Sequence, residues 1–164
     1  MTRPTVVLEL SLLEAAHLTD LVEQFAELVA DPAAPSDDPA VARLVPDAYR
    51  DDPEAAREFR SLTERDLLER RAADAGIVIA SLLHDGERLS PGRLDAADAE
   101  RAFTVVLDLE RSAAWLRTLA AVRLVLASRL GVQDEDDHDP QDPRFGIYDW
   151  LGYRLDGLVR AIDA

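Results

Sequence analysis

Residues 115–130 read WLRTLAAVRLVLASRL, a run in which Leu116, Leu119, Leu126 and Leu130 recur at helical spacing with further apolar residues between them. A period near 3.6 lines such residues along one face of an α-helix, whereas a half-buried strand would alternate. Arg129 in the last turn, then Gly131 and Val132, supply a basic C-terminus and a left-handed cap, so this helix is bounded as well as periodic. Its apolar surface is broad, which predicts a central helix over residues 112–130 that touches several neighbours. A chain built round such a helix belongs to the predominantly α class.

On the C-terminal side, residues 133–142 form an acidic loop, whose like charges repel one another and stay in water. Asp142 and Pro143 then offer a cap and a first turn for a helix over 143–162, with Ile147, Leu151, Leu155, Leu158 and Ile162 as its apolar stripe. Arg123 interrupts the central helix and is placed to reach Asp149 of this last helix. Such a partly buried pair fixes register more than it adds net stability; a charged groove is the functional alternative.

On the N-terminal side, residues 104–109 read TVVLDL and echo TVVLEL at 5–10. Alternation of Val6, Leu8 and Leu10 predicts a strand over 5–10. Val105, Leu107 and Leu109 then either pair beside it as a two-stranded ribbon or belong to a helical 95–109. Ser11 and Glu14 stand at capping-box spacing ahead of a helix over 12–30. Residues 31–40 combine prolines with aspartates and predict a loop. Pro53 is well placed to open a helix, and Thr63 offers a second cap. Two short helices meeting near residue 62, or one kinked helix, fit equally well before the strong pattern over 64–82. His84-Asp85-Gly86 predicts a turn. The whole, residues 1–164, is expected to be one compact helical domain, which its 164 residues suit.

Eighteen basic residues face thirty-three acidic ones, a net charge of -15, which repels phosphate backbones and disfavours direct nucleic-acid binding. The absence of cysteine removes disulfides, thiolate nucleophiles and cysteine-bound zinc. The chain opens Met1-Thr2-Arg3-Pro4 without a signal-peptide pattern and has no long uninterrupted apolar run, so a cytoplasmic protein with no membrane span is expected. The acidic loop departs from a calcium loop, with Asp139 in the glycine position counted from Asp134 and Phe145 in the glutamate position. His17, His84 and His138 lie in separate elements. No catalytic residue, cofactor site or metal site is therefore expected.

The segment from Tyr49 to Arg60 is more informative. Tyr49, Arg50, Arg57, Phe59 and Arg60 put aromatic anchors beside arginine forks near a helix start, a composition suited to holding a protein partner. The intramolecular alternative is that the aromatics seal a helix junction and the arginines pair with nearby carboxylates.

The pieces Arg57-Glu58-Phe59-Arg60-Ser61-Leu62-Thr63-Glu64, Trp115-Leu116-Arg117 through Arg123-Leu124-Val125-Leu126, Arg129-Leu130-Gly131-Val132 and Tyr148-Asp149-Trp150-Leu151 resemble an actinobacterial family labelled a domain of unknown function, number 2017. The resemblance covers nearly the whole chain. It implies a small cytoplasmic protein linked to stress-responsive transcriptional regulation, with a sigma factor as partner. Without cysteine, a switch of that kind would have no thiol chemistry here. The expected function is thus a non-enzymatic regulatory or adaptor domain acting through protein binding. The alternatives are a small carboxylate-dependent enzyme and a structural interaction domain.

Overall fold

The computed structural model describes residues 4–30, 38–45, 52–132 and 138–164, with the side chains of residues 56, 57 and 59–62 outside that description. Its elements run β1 (Val6–Ser11), α1 (Leu12–Ala30), α2 (Pro39–Leu44), α3 (Pro53–Ser81), a 3-10 turn (Pro91–Arg93), α4 (Ala96–Ala99), β2 (Ala102–Leu107), α5 (Leu109–Leu130), a second 3-10 turn (Pro143–Phe145) and α6 (Gly146–Asp163). The fold is predominantly helical with a minor two-stranded antiparallel sheet.

The capping box at the start of α1 forms in full: the Ser11 amide donates to Glu14 Oε2 at 2.9 Å, and the Glu14 amide donates to Ser11 Oγ at 3.1 Å. Three other starts use aspartate followed by proline. Asp38 accepts from the Ala40 amide, Asp52 from the Ala55 amide and Asp142 from the Arg144 amide. Proline loses nothing at a first helical position, where its missing N–H would have had no partner. Residues 39 and 40 therefore open α2, correcting the loop expected over 31–40. The segment from Pro53 is one continuous helix of 29 residues, so Thr63 lies inside it and not at a helix start.

The two echoing segments pair antiparallel, with Val6 opposite Leu107, Leu8 opposite Val105 and Leu10 opposite Phe103. Leu109, expected to continue the second strand, instead begins α5 and is 64% exposed. The cause is Asp108, which caps α5 through the Arg111 amide at 2.9 Å and ends the ribbon. Between residues 95 and 108 the only helix is α4, so the ribbon replaces the helical alternative.

One face of the ribbon buries Val6, Leu10, Phe103, Val105 and Leu107; the other exposes Val7 and Val106. Beneath the buried face lies α5, packed against α2, α3 and α6 as a central helix should be. Trp115, Leu119 and Val122 are buried there, while Leu116 and Leu126 are half-buried. Bidentate arginine pairs lace the bundle: Arg117 to Asp74 joins α5 to α3, and Arg129 to Asp38 joins α5 to the cap of α2. The Arg129 guanidinium and two backbone amides outweigh desolvation and hold the Asp38 carboxyl below its ordinary value.

Gly131 ends α5 at φ +74°, with the Val132 amide returning to the Ala127 carbonyl at 2.8 Å. No heavy atom stands within 4 Å of a Cβ placed there, so the penalty for a side chain is backbone strain alone. Gly131→Ala should lower stability by about 1–2 kcal/mol, measured from the denaturant midpoint.

Candidate functional site

Glu14 does more than cap its own helix. Arg154 of α6 places Nη2 against both carboxylate oxygens, at 2.9 and 2.7 Å, and Trp150 Nε1 donates to Oε1 at 3.2 Å. Burial acts to raise this carboxyl, but the bonds from Arg154, the Ser11 amide and Trp150 together hold it below the usual value of 4.5. One side chain thus joins the start of α1 to α6, across 140 residues of sequence.

Beside this junction α1, α5 and α6 leave a surface groove of about 620 Å³. Leu21, Leu126, Ile147 and Trp150 make its apolar surface; Glu14, Asp20 and His17 supply polar groups. Ile147 is 57% exposed, which corrects its expected place in the buried stripe of α6. Tyr148 takes the buried position, followed by Leu151 and Leu158.

Tyr148 packs with Ala127, Val132 and Phe145 and meets α5 across the helix interface. Arg123 of α5 stacks its guanidinium over the Tyr148 ring at 4.0 Å and donates from Nε to the Tyr148 carbonyl at 3.3 Å. A Cβ on Gly152 would stand 3.0 Å from Arg123 Nη2, so glycine at this position leaves the guanidinium its room. Asp149 bonds to His138 Nε2 at 2.7 Å. Of the expected structural pair, Arg123 thus meets Tyr148 and Asp149 meets His138.

His138 stacks on Phe145 at 4.4 Å and meets Tyr148 edge-on at 5.6 Å. The imidazole and Asp149 have the composition of an acid–base dyad, yet the remaining nitrogen, Nδ1, is buried with no hydrogen-bond partner. Covered by two aromatic rings, the pair is built to pin residue 138 to the start of α6.

Of the partner-binding candidates, Tyr49 and Arg50 lie outside the described residues. Arg57, Phe59 and Arg60 fall within α3, with side chains outside the description. Among the described residues, no group of three or more histidines and carboxylates is arranged to hold a metal ion. The acidic run 134–137 lies outside them. No described helix is long and apolar enough to cross a membrane.

The groove was not predicted from sequence. Glu14 carried a local signal only for capping, and nothing in the spacing of Trp150 or Arg154 pointed to residue 14.

Among known proteins, a family model described as "Domain of unknown function (DUF2017)" matches residues 1–162. No curated protein and no solved structure matches the chain.

Proposed function

Because the chain belongs to the DUF2017 family, a membership that assigns no chemistry, we propose from its surface that it is a non-enzymatic regulatory or adaptor module that binds another protein in the groove between α1 and α6. The observation that carries this reading is Ile147, a large apolar side chain left 57% exposed beside Trp150 in a concave surface with acidic residues around it. An amphipathic helix with an apolar stripe flanked by arginine or lysine has the matching chemistry. The net charge of -15 favours encounter with such a basic partner.

The regulatory setting, stress-responsive transcription in the cytoplasm with a sigma factor as partner, rests on the family resemblance alone. Tyr49, Arg50, Arg57, Phe59 and Arg60 retain their sequence-based reading as a second contact area. A carboxylate-dependent enzyme is the competing reading, but the most enzyme-like pair, His138 and Asp149, has its outer nitrogen sealed.

Capture of partners from the native cytosol, followed by direct binding of the purified partner, tests this. Ile147→Asp should weaken binding at least roughly tenfold, as expected for an anchor near the centre of an interface. Arg65→Ala, on an exposed residue outside the groove, should leave it unchanged. Equal binding by folded wild type and Ile147→Asp would reject the groove, and substrate turnover without a partner would reject the module.

A further inference from the structure

The two edges of the ribbon are finished differently. The Leu12 amide donates to the Arg101 carbonyl at 2.9 Å, one step beyond the last pair of the ladder. In an antiparallel pair the hydrogen-bonded positions alternate with the non-bonded ones. The register therefore turns the backbone groups of Phe103, Val105 and Leu107 towards β1, and those of Thr104 and Val106 away from it. By the same parity Val7, Glu9 and Ser11 of β1 face outward; Arg154 Nη1 donates to the Glu9 carbonyl at 3.3 Å, the Ser11 amide donates to Glu14 and α6 packs along the strand, which leaves Val7 as the outward position of β1 with no described partner. No such cover exists on β2: among the described residues, the outward amides and carbonyls of Thr104 and Val106 have no partner.

Along this open edge runs a groove of about 430 Å³, walled by Ile77, Ala80 and Ser81 of α3. Leu83 lies towards the Phe103 end, where the neighbouring His84 ring packs edge-on to Phe103 at 5.8 Å. Arg111, just past the other end of β2, is the one charged side chain lining the groove among the described residues. Its Nη1 stands 3.5 Å from Asp108 Oδ2, a loose and exposed pair, and its remaining guanidinium nitrogens have no described partner.

An unpaired strand edge is a template for another strand, supplying affinity through main-chain bonds and specificity through alternate side chains. We propose that the free edge of β2 receives one extended segment of a partner protein, bonded to the backbone of Thr104 and Val106, with apolar side chains against Ile77 and Leu83 and a carboxylate facing Arg111. The lone guanidinium selects an acidic residue on it, the opposite charge preference to that of the α1–α6 groove. A second copy is the poorer occupant, since pairing through β2 would bring together two chains that each carry -15. This surface is independent of the function proposed above.

The probe is a synthetic acetylated peptide with the sequence of residues 5–10, TVVLEL, which has the pattern that β2 already accepts on its other edge and carries carboxylates. Amide hydrogen exchange on the full chain gives the readout. Without peptide, Thr104 and Val106 should exchange at least roughly tenfold faster than Phe103 and Val105, which donate within the ladder. At saturating peptide both should slow by roughly tenfold or more, the effect expected of a new main-chain bond. The same peptide N-methylated at alternate amides should give no protection, and Arg111→Glu should weaken protection. Any of four results overturns the proposal: Thr104 and Val106 already protected in the monomer; no slowing with peptide; equal protection by the methylated peptide; or protection that rises with protein concentration alone, which assigns the edge to a second copy.

Discussion

Trp115→Ala is expected to lower stability by about 3–5 kcal/mol, a large share of the roughly 5–15 kcal/mol that holds a domain of ordinary size. Trp115 is 1% exposed and belongs to the main cluster shared by β1, β2, α1, α3, α5 and α6, so truncation removes the largest buried side chain where these elements meet. Trp115→Phe separates volume from polarity. The indole Nε1 is buried with no hydrogen-bond partner, and phenylalanine removes that unsatisfied donor while leaving a smaller cavity. The phenylalanine variant should lose less than about 2 kcal/mol, because the two effects oppose each other. Urea unfolding of both variants checks this; equal losses would show that the ring volume phenylalanine retains does not restore the packing.

Glu14→Ala should lower stability by about 2–3 kcal/mol, since it removes a helix cap and strips Arg154 of its carboxylate in a partly buried setting. Glu14→Gln should cost less, because glutamine preserves the backbone half of the capping box. The pH dependence has a definite sign. The folded carboxyl sits below its unfolded value of 4.5, so its stabilisation is complete above that pH and is lost as pH falls through the lower, folded value. Below pH 4.5 the stability of the wild type should therefore fall more steeply than that of Glu14→Gln, and unfolding curves taken at stepped pH measure the difference. Parallel curves would mean that the Arg154 pair contributes no linkage.

Helix positions were legible where the stop and start signals are local. Ser11 and Glu14 predict α1, Gly131 predicts the end of α5, and Pro53 predicts the start of α3, all as observed. Asp38-Pro39 carries the same signal as Asp52-Pro53 but lies in a run of prolines that reads as a loop. Thr63 misleads in the other direction: a cap residue is only a preference, and it does not break a helix whose hydrogen bonds continue through it.

The functional surface was far less legible. Ile147 and Tyr148 are adjacent, and contacts from outside α6, the Arg123 guanidinium and the cluster of Ala127, Val132 and Phe145, accompany the burial of Tyr148. Glu14 and Arg154 meet through the fold alone, and no periodicity of either segment encodes the other. The edge of β2 depends on register, which the echo of TVVLEL in TVVLDL suggests without specifying.

The ribbon also sets an order of events during synthesis. Val6 pairs with Leu107, about one hundred residues later, and Glu14 waits for Arg154 near the other end of the chain. At ribosomal speeds of about 5–20 residues per second, the first strand emerges roughly 5–20 s before the strand that completes it. For that interval Val6, Val7, Leu8 and Leu10 form a nascent β-prone segment with no sheet to join, while α1 and α3 have the sequence they need to begin docking. The high sequence separation of these closing contacts carries a large loop-closure cost. The N-terminal strand is therefore where a ribosome-associated chaperone would have the longest opportunity to act.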